Sequence, residues 1–127
     1  MERLLWVCLA GGVGAGSRYL IGVWAGQRLG TAFPYGTLIV NLAGCYLIAL
    51  CMQAALSVES FPPGLRLALT TGFLGGLTTY SSYNYEMTRL FQEGAHTAAL
   101  ADFAATTGGG FVAGLLGLAT ARLLFGS

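Results

Sequence analysis

The chain has 127 residues, of which 55% are hydrophobic and only 9% charged, against about a quarter charged in an ordinary soluble domain. That composition excludes a soluble domain and describes a membrane protein. Six arginines against five acids leave a net charge of +1, so no basic surface is set aside for nucleic acid and no charge run for an acidic partner.

A spanning helix takes about 20 mostly apolar residues, and four stretches meet that length: about 4–25, 35–55, 65–87 and 98–125. The expected fold is an all-α membrane protein of four transmembrane helices in one domain, residues 1–127. The first run is longer than a signal-peptide core and lacks a strong basic flank, so it is expected to stay as a helix. Arg18 lies inside this span, in Gly-Ala-Gly-Ser-Arg-Tyr, seven residues from its end, or about 10 Å at the helical rise. At that depth it either snorkels to the headgroups or faces a wet vestibule and gathers anions.

The linker 26–34 carries Arg28, and the second span opens Gly36-Thr37-Leu38-Ile39-Val40-Asn41-Leu42-Ala43-Gly44. Thr37, Asn41 and Cys45 recur every four residues, a thin polar stripe on one helical face. An intramembrane Asn needs a hydrogen-bond partner, so Asn41 is either glue between helices or a donor lining a pore. Cys8, Cys45 and Cys51 sit in apolar runs without metal-ligand spacing and are read as small buried hydrophobes.

After the breaker Pro62-Pro63-Gly64, the third span contains Gly72-Phe-Leu-Gly-Gly-Leu-Thr-Thr-Tyr-Ser-Ser-Tyr83. Adjacent Gly75 and Gly76 loosen the helix, and the hydroxyls of Thr78, Thr79, Ser81 and Ser82 can meet the backbone groups so freed. Irregular backbone survives in a bilayer only inside protein or beside a polar cavity, which makes this stretch the first candidate for function. Tyr80 and Tyr83 are three apart and share a face, either as packing or with positive ring edges turned to an anion. Glu86 continues that face and is expected to partner an Arg or a hydroxyl, and His96 is expected to be solvated in a loop. In the fourth span Thr106, Gly110 and Gly114 share a face; Thr106 either bonds back to its own helix or lines a pore.

Arg3, Arg66 and Arg122 flank one side of the membrane and Arg18, Arg28 and Arg89 the other. A three-against-three tie predicts weak bias under the positive-inside rule, which leaves two readings open: insertion in both orientations, or insertion one way if a single Arg dominates. Four helices enclose little volume, and four Gly pairs at i, i+4 (12/16, 22/26, 72/76, 110/114) suit close helix contact, so an oligomer is expected.

Three ordered motifs, at 14–19, 36–44 and 72–83, resemble the small bacterial fluoride channels of the CrcB/Fluc type, and the resemblance covers nearly the whole chain. It implies an antiparallel homodimer in the bacterial inner membrane, inserted in both orientations, that passes fluoride at the subunit interface and protects the cell. It implies a third helix broken near Gly75–Thr79, with a structural sodium ion on the dimer axis held by the backbone carbonyls of Gly75 and Thr78. It implies Arg18 at the vestibule, Asn41, Tyr80 and Tyr83 facing the ion, and Thr37, Ser81, Ser82 and Thr106 among the polar lining. Where that family usually has two phenylalanines this chain has Tyr80 and Tyr83, and Gly110 stands where relatives often carry a hydroxyl. Two other readings stay open: a proton-coupled exporter of cationic molecules, for which only Glu86 and Asp102 near span ends come close to the needed carboxylate, and a non-transporting assembly subunit. An enzyme is not expected, since no nucleophile, base and orienting group can be assembled.

Overall fold

The computed structural model describes residues 1–126, and among them there are helices and no strands. Helix α1 (Glu2–Leu29) is followed by α2 (Tyr35–Ser57), α3 (Pro63–Leu67), a π-helical segment (Ala68–Leu74), α4 (Gly75–Leu77), α5 (Tyr80–Gln92) and α6 (His96–Phe125). Local chemistry sets the ends. Glu2 opens α1 and Arg28 closes it, each matched to the helix dipole at its end. Gly30 at φ 86° and Gly94 at φ 81° take the left-handed backbone that ends α1 and turns the chain after α5. Pro62 and Pro63 sit at the start of α3, where a missing N–H costs nothing.

Among the described residues α1, α2 and α6 are long and apolar enough to cross a membrane. The third expected span, 65–87, is not one continuous helix. It widens into the π segment, resumes as α4, breaks at Thr78 and Thr79, and restarts as α5. The break falls after the glycine pair. Gly75 and Gly76 remain helical, whereas Thr78 (φ −90°, ψ 157°) and Thr79 (φ −154°, ψ 125°) are extended.

The glycines act instead through their missing side chains. A Cβ on Gly76 would land on the carbonyl of Gly11, one on Gly14 on the carbonyl of Phe73, and one on Gly72 within 2.8 Å of the Ala10 methyl. Backbone therefore lies on backbone where α1 runs alongside the third traverse, the contact that small residues permit inside a membrane. Gly117 does the same for α2 and α6, facing the carbonyl of Tyr46, and Tyr46 Oη donates to Thr120 Oγ1 at 2.8 Å. Gly110 follows suit: a Cβ there would stand 3.2 Å from Cys45 Sγ.

The interior is thin. Val40, Leu74 and Leu77 form its buried cluster, with Ile21, Leu47 and Phe73 packed on it. Large apolar side chains such as Leu4, Trp6, Tyr19, Leu20, Phe111 and Leu123 are exposed, as a lipid-facing or partner-facing surface requires. Cys8 belongs to that outer surface of α1 and is not buried, while Cys45 and Cys51 are half-buried; all three are free thiols. His96 is exposed, as expected, but it begins α6 and does not lie in a loop, and its ring packs edge-on against Phe91 at 4.5 Å.

Candidate functional site

Breaking a helix inside apolar surroundings frees carbonyls before the break and N–H groups after it, and each needs a partner. The side chain of Asn41 meets two of them on one residue. Its Nδ2 donates to the carbonyl of Thr79 at 3.0 Å, and its Oδ1 accepts from the Thr79 N–H at 2.9 Å. Arg18 takes a third: its Nε donates to the carbonyl of Gly76 at 3.1 Å. Thr78 Oγ1 donates to the carbonyl of Leu74 at 2.8 Å, and Thr79 Oγ1 caps α5 by accepting from the Ser82 N–H at 3.2 Å. The carbonyls of Gly75, Leu77 and Thr78 receive no such bond among the described residues.

Both sides of the break open onto cavities. One, of about 310 Å³, is lined by Asn41, Cys45, Gly75, Thr78, Tyr80, Tyr83 and Thr106 among others. A second, of about 390 Å³, brings together Arg18, Thr37, Ser82 and Glu86, and Thr79 borders both. Ser81 lies in a third recess with Ser82, Tyr85, Glu86 and Arg89. The polar stripe on α2 is therefore divided: Thr37 faces the arginine side of the break, Asn41 and Cys45 the tyrosine side.

The two tyrosines meet edge to face, with ring centroids 5.6 Å apart and planes at 67°, an arrangement that suits the ring quadrupoles. Their surroundings differ sharply. Tyr80 is 76% exposed on the chain's own surface, while Tyr83 is 4% exposed and its hydroxyl points to Met87 Sδ at 3.5 Å.

Two carboxylates depart from expectation. Glu86 has neither the Arg nor the hydroxyl partner expected for Oε1, which is buried and without a hydrogen bond, as is Arg89 Nε one turn on. Asp102, expected near a span end, is instead 1% exposed inside the α5–α6 contact. Thr106 Oγ1 donates to its Oδ1 at 3.2 Å in place of the helix backbone. Asp102, Thr106 and Gly110 recur every four residues on one face of α6, and that spacing, more than distance from the span end, is the sequence signal for the burial of the acid. Thr79 was missed as well: both cavities border it and Asn41 holds it, through backbone atoms that no side-chain pattern reports.

No group of three or more His, Cys, Asp or Glu among the described residues is arranged to hold a metal. A hard cation here would have to use backbone oxygen, and the undonated carbonyls of Gly75 and Thr78, two residues on the wall of the tyrosine cavity, have the right chemistry.

A family model described as "CrcB-like protein, Camphor Resistance (CrcB)" matches residues 5–118. The chain belongs to the CrcB-like family. Similar members include a protein of Anaeromyxobacter sp. (strain K), 48% identical over 99% of this chain and 100% of its own length. One from Sorangium cellulosum is 44% identical over 98% of each chain, and one from Citrifermentans bemidjiense is 40% identical over 98% of this chain and all of its own. Each of the three is named a fluoride-specific ion channel, FluC. As a member of this family the chain is a membrane protein whose apolar helices α1, α2 and α6 supply the bilayer-crossing surface.

Proposed function

We propose that this protein is a fluoride channel of the bacterial inner membrane that lets fluoride leave the cell down its electrochemical gradient. The observation that carries the reading is the cavity walled by Asn41, Thr78, Tyr80, Tyr83 and Thr106 against a broken helix, in a chain whose full-length relatives are named for fluoride. Fluoride is small and strongly hydrated, so its path needs hydrogen-bond donors at close range and no fixed cation strong enough to trap it. The second hydrogen of Asn41 Nδ2, the free N–H groups at the start of α5 and the threonine and serine hydroxyls are such donors. The N-terminal end of α5 adds a positive dipole, and Arg18, tethered to Gly76 beside the second cavity, collects anions at the mouth. Passive exit suffices: acid carries fluoride in as neutral HF, and a negative-inside potential favours anion exit by about 2.3 kcal/mol per charge per 100 mV.

The functional unit in this reading is an antiparallel homodimer inserted in both orientations. Supporting this, Tyr80 is largely exposed on a single chain and the tyrosine cavity is open, so a second copy would complete its wall. A structural sodium ion suits the carbonyls of Gly75 and Thr78; bound there, it would supply positive charge that offsets the unpaired carbonyl dipoles and steadies the break. The chain itself performs no covalent chemistry.

The test is fluoride efflux from liposomes holding the pure protein, followed with a fluoride electrode and compared with chloride. Fluoride flux without chloride flux is expected; no fluoride flux, or equal rates for the two anions, would overturn the reading. Tagged termini reporting from both faces of the cell membrane are expected for dual insertion, and tags confined to one face would reject it.

A further inference from the structure

Asp102 is the one buried charged residue among the described residues, and its Oδ2 has no hydrogen-bond partner. Its surroundings hold no counter-charge. From α5 it is approached by Tyr83 and by Glu86, whose charge has the same sign; Arg89, further along α5, leaves its own Nε unpaired. Helix α2 contains no charged residue, its nearest titratable group along α6 being Cys45 against Gly110, and α1 with Arg18 makes no contact with α6. The single partner is Thr106, which also lines the cavity that holds Asn41, Tyr80 and Tyr83.

A threonine hydroxyl has one hydrogen. While Asp102 is ionised, that hydrogen is committed to Oδ1, and Thr106 can turn only lone pairs toward the cavity, which an anion avoids. A proton on Oδ1 makes the acid the donor. The Thr106 oxygen then accepts, and its hydrogen is free to point into the cavity.

We propose that Asp102 is a positioning residue for anion passage: protonation of its carboxyl reverses its hydrogen bond with Thr106 and makes the Thr106 hydroxyl a donor on the pathway. The inference rests on the fluoride-channel reading. Fluoride flux therefore depends on the proton occupancy of Asp102 and is greater at acid pH, when more HF enters the cell.

The experiment measures fluoride efflux from liposomes carrying the full chain, with equal pH inside and out, from mildly acidic to mildly alkaline, subtracting protein-free vesicles to remove HF leak. Wild-type flux is expected to fall roughly tenfold toward alkaline pH, the scale of one hydrogen bond to an ion. Asp102→Asn cannot ionise and can donate its amide N–H to Thr106, so it is expected to hold a pH-independent rate near the acid-side value. Thr106→Ser should keep the wild-type profile, and Thr106→Val should be slow at every pH. A flat wild-type profile overturns the inference, as does an Asp102→Asn protein that follows the wild-type curve. If Asp102→Asn does not fold, the threonine pair decides: a Thr106→Val protein that retains the wild-type pH dependence overturns it. Absence of fluoride flux at every pH overturns the channel reading and this inference together, whereas robust flux without the pH effect overturns this inference alone.

Discussion

Asn41 and Thr79 are joined by two opposed hydrogen bonds, side-chain amide to backbone amide, at 2.9 and 3.0 Å. The pairing resembles one rung of a β-ladder formed between a helix side chain and an extended residue, and it is what lets the third traverse break inside an apolar region. Of the two roles open to an intramembrane Asn, the glue is in place: the bonds hold Thr79, and Asn41 also borders the cavity beside the break.

Replacing Asn41 by Asp tests both roles. The carboxylate still accepts from the Thr79 N–H but opposes its carbonyl, a mismatch that costs about 1–3 kcal/mol for the group left unpaired. Asn41→Asp is expected to lower the melting temperature of the detergent-purified protein and to cut fluoride efflux by at least about tenfold. Normal flux through Asn41→Asp would show that the pairing with Thr79 is dispensable.

The contact between α1 and α4 predicts a sharp asymmetry among glycines. Gly76→Ala drives a methyl into the Gly11 carbonyl, while Gly108→Ala meets nothing within 4 Å. Overpacking against backbone costs about 1–3 kcal/mol, and an exposed Gly→Ala in a helix gains up to about 1 kcal/mol. Size-exclusion profiles and thermal melts are expected to show Gly76→Ala poorly folded and Gly108→Ala at least as stable as wild type. Equal stability of the two would refute the backbone-on-backbone packing.

Much of this was legible in the sequence. Hydrophobic run lengths marked the helical segments because bilayer-length helices need little else, and the four-residue spacings put Asn41 and Cys45 on one face. Ordering within the third traverse was harder to read. The doublet Gly75-Gly76 signals both helix weakness and close packing, and only the neighbouring α1 backbone decides for packing. The break passed to Thr78 and Thr79, residues that tolerate extended backbone and can cap the next helix with a hydroxyl. The widened turn at Ala68–Leu74 left no sequence mark; Gly72 within it lies against Val7 and Ala10 of α1. Asp102 was visible, but its burial depends on the approach of α5, which comes from distant contacts.

Tyr80 and Tyr83 should respond differently to the same substitution. Removing the Tyr83 hydroxyl gives up a long contact to Met87 Sδ and its approach to Thr107 and Asp102 while the ring keeps its packing, so Tyr83→Phe is expected to be within about 1 kcal/mol of wild type. Tyr83→Ala empties a buried position and is expected to cost about 3–5 kcal/mol. Tyr80 is exposed, so neither change there should move stability much; Tyr80→Phe is expected to alter the fluoride rate alone. Melting curves and efflux measured on all four proteins check this division, and a large stability loss in Tyr80→Ala would contradict it.

Sodium removal probes the undonated carbonyls. Gly75 and Thr78 offer oxygen dipoles that no N–H or hydroxyl among the described residues satisfies, and substitution cannot delete a backbone carbonyl. The ion itself must be varied. Protein purified and reconstituted in potassium or N-methylglucamine salts, with sodium exhaustively removed, is expected to show reduced fluoride efflux and a lower melting temperature, both restored by adding sodium back. Potassium is larger and should restore less, since a site of few fixed oxygens discriminates by ion size. Unchanged flux and stability after sodium removal would mean that water or the partner subunit meets these carbonyls, and the cation would drop out of the functional reading while Asn41 and Arg18 kept their places in it.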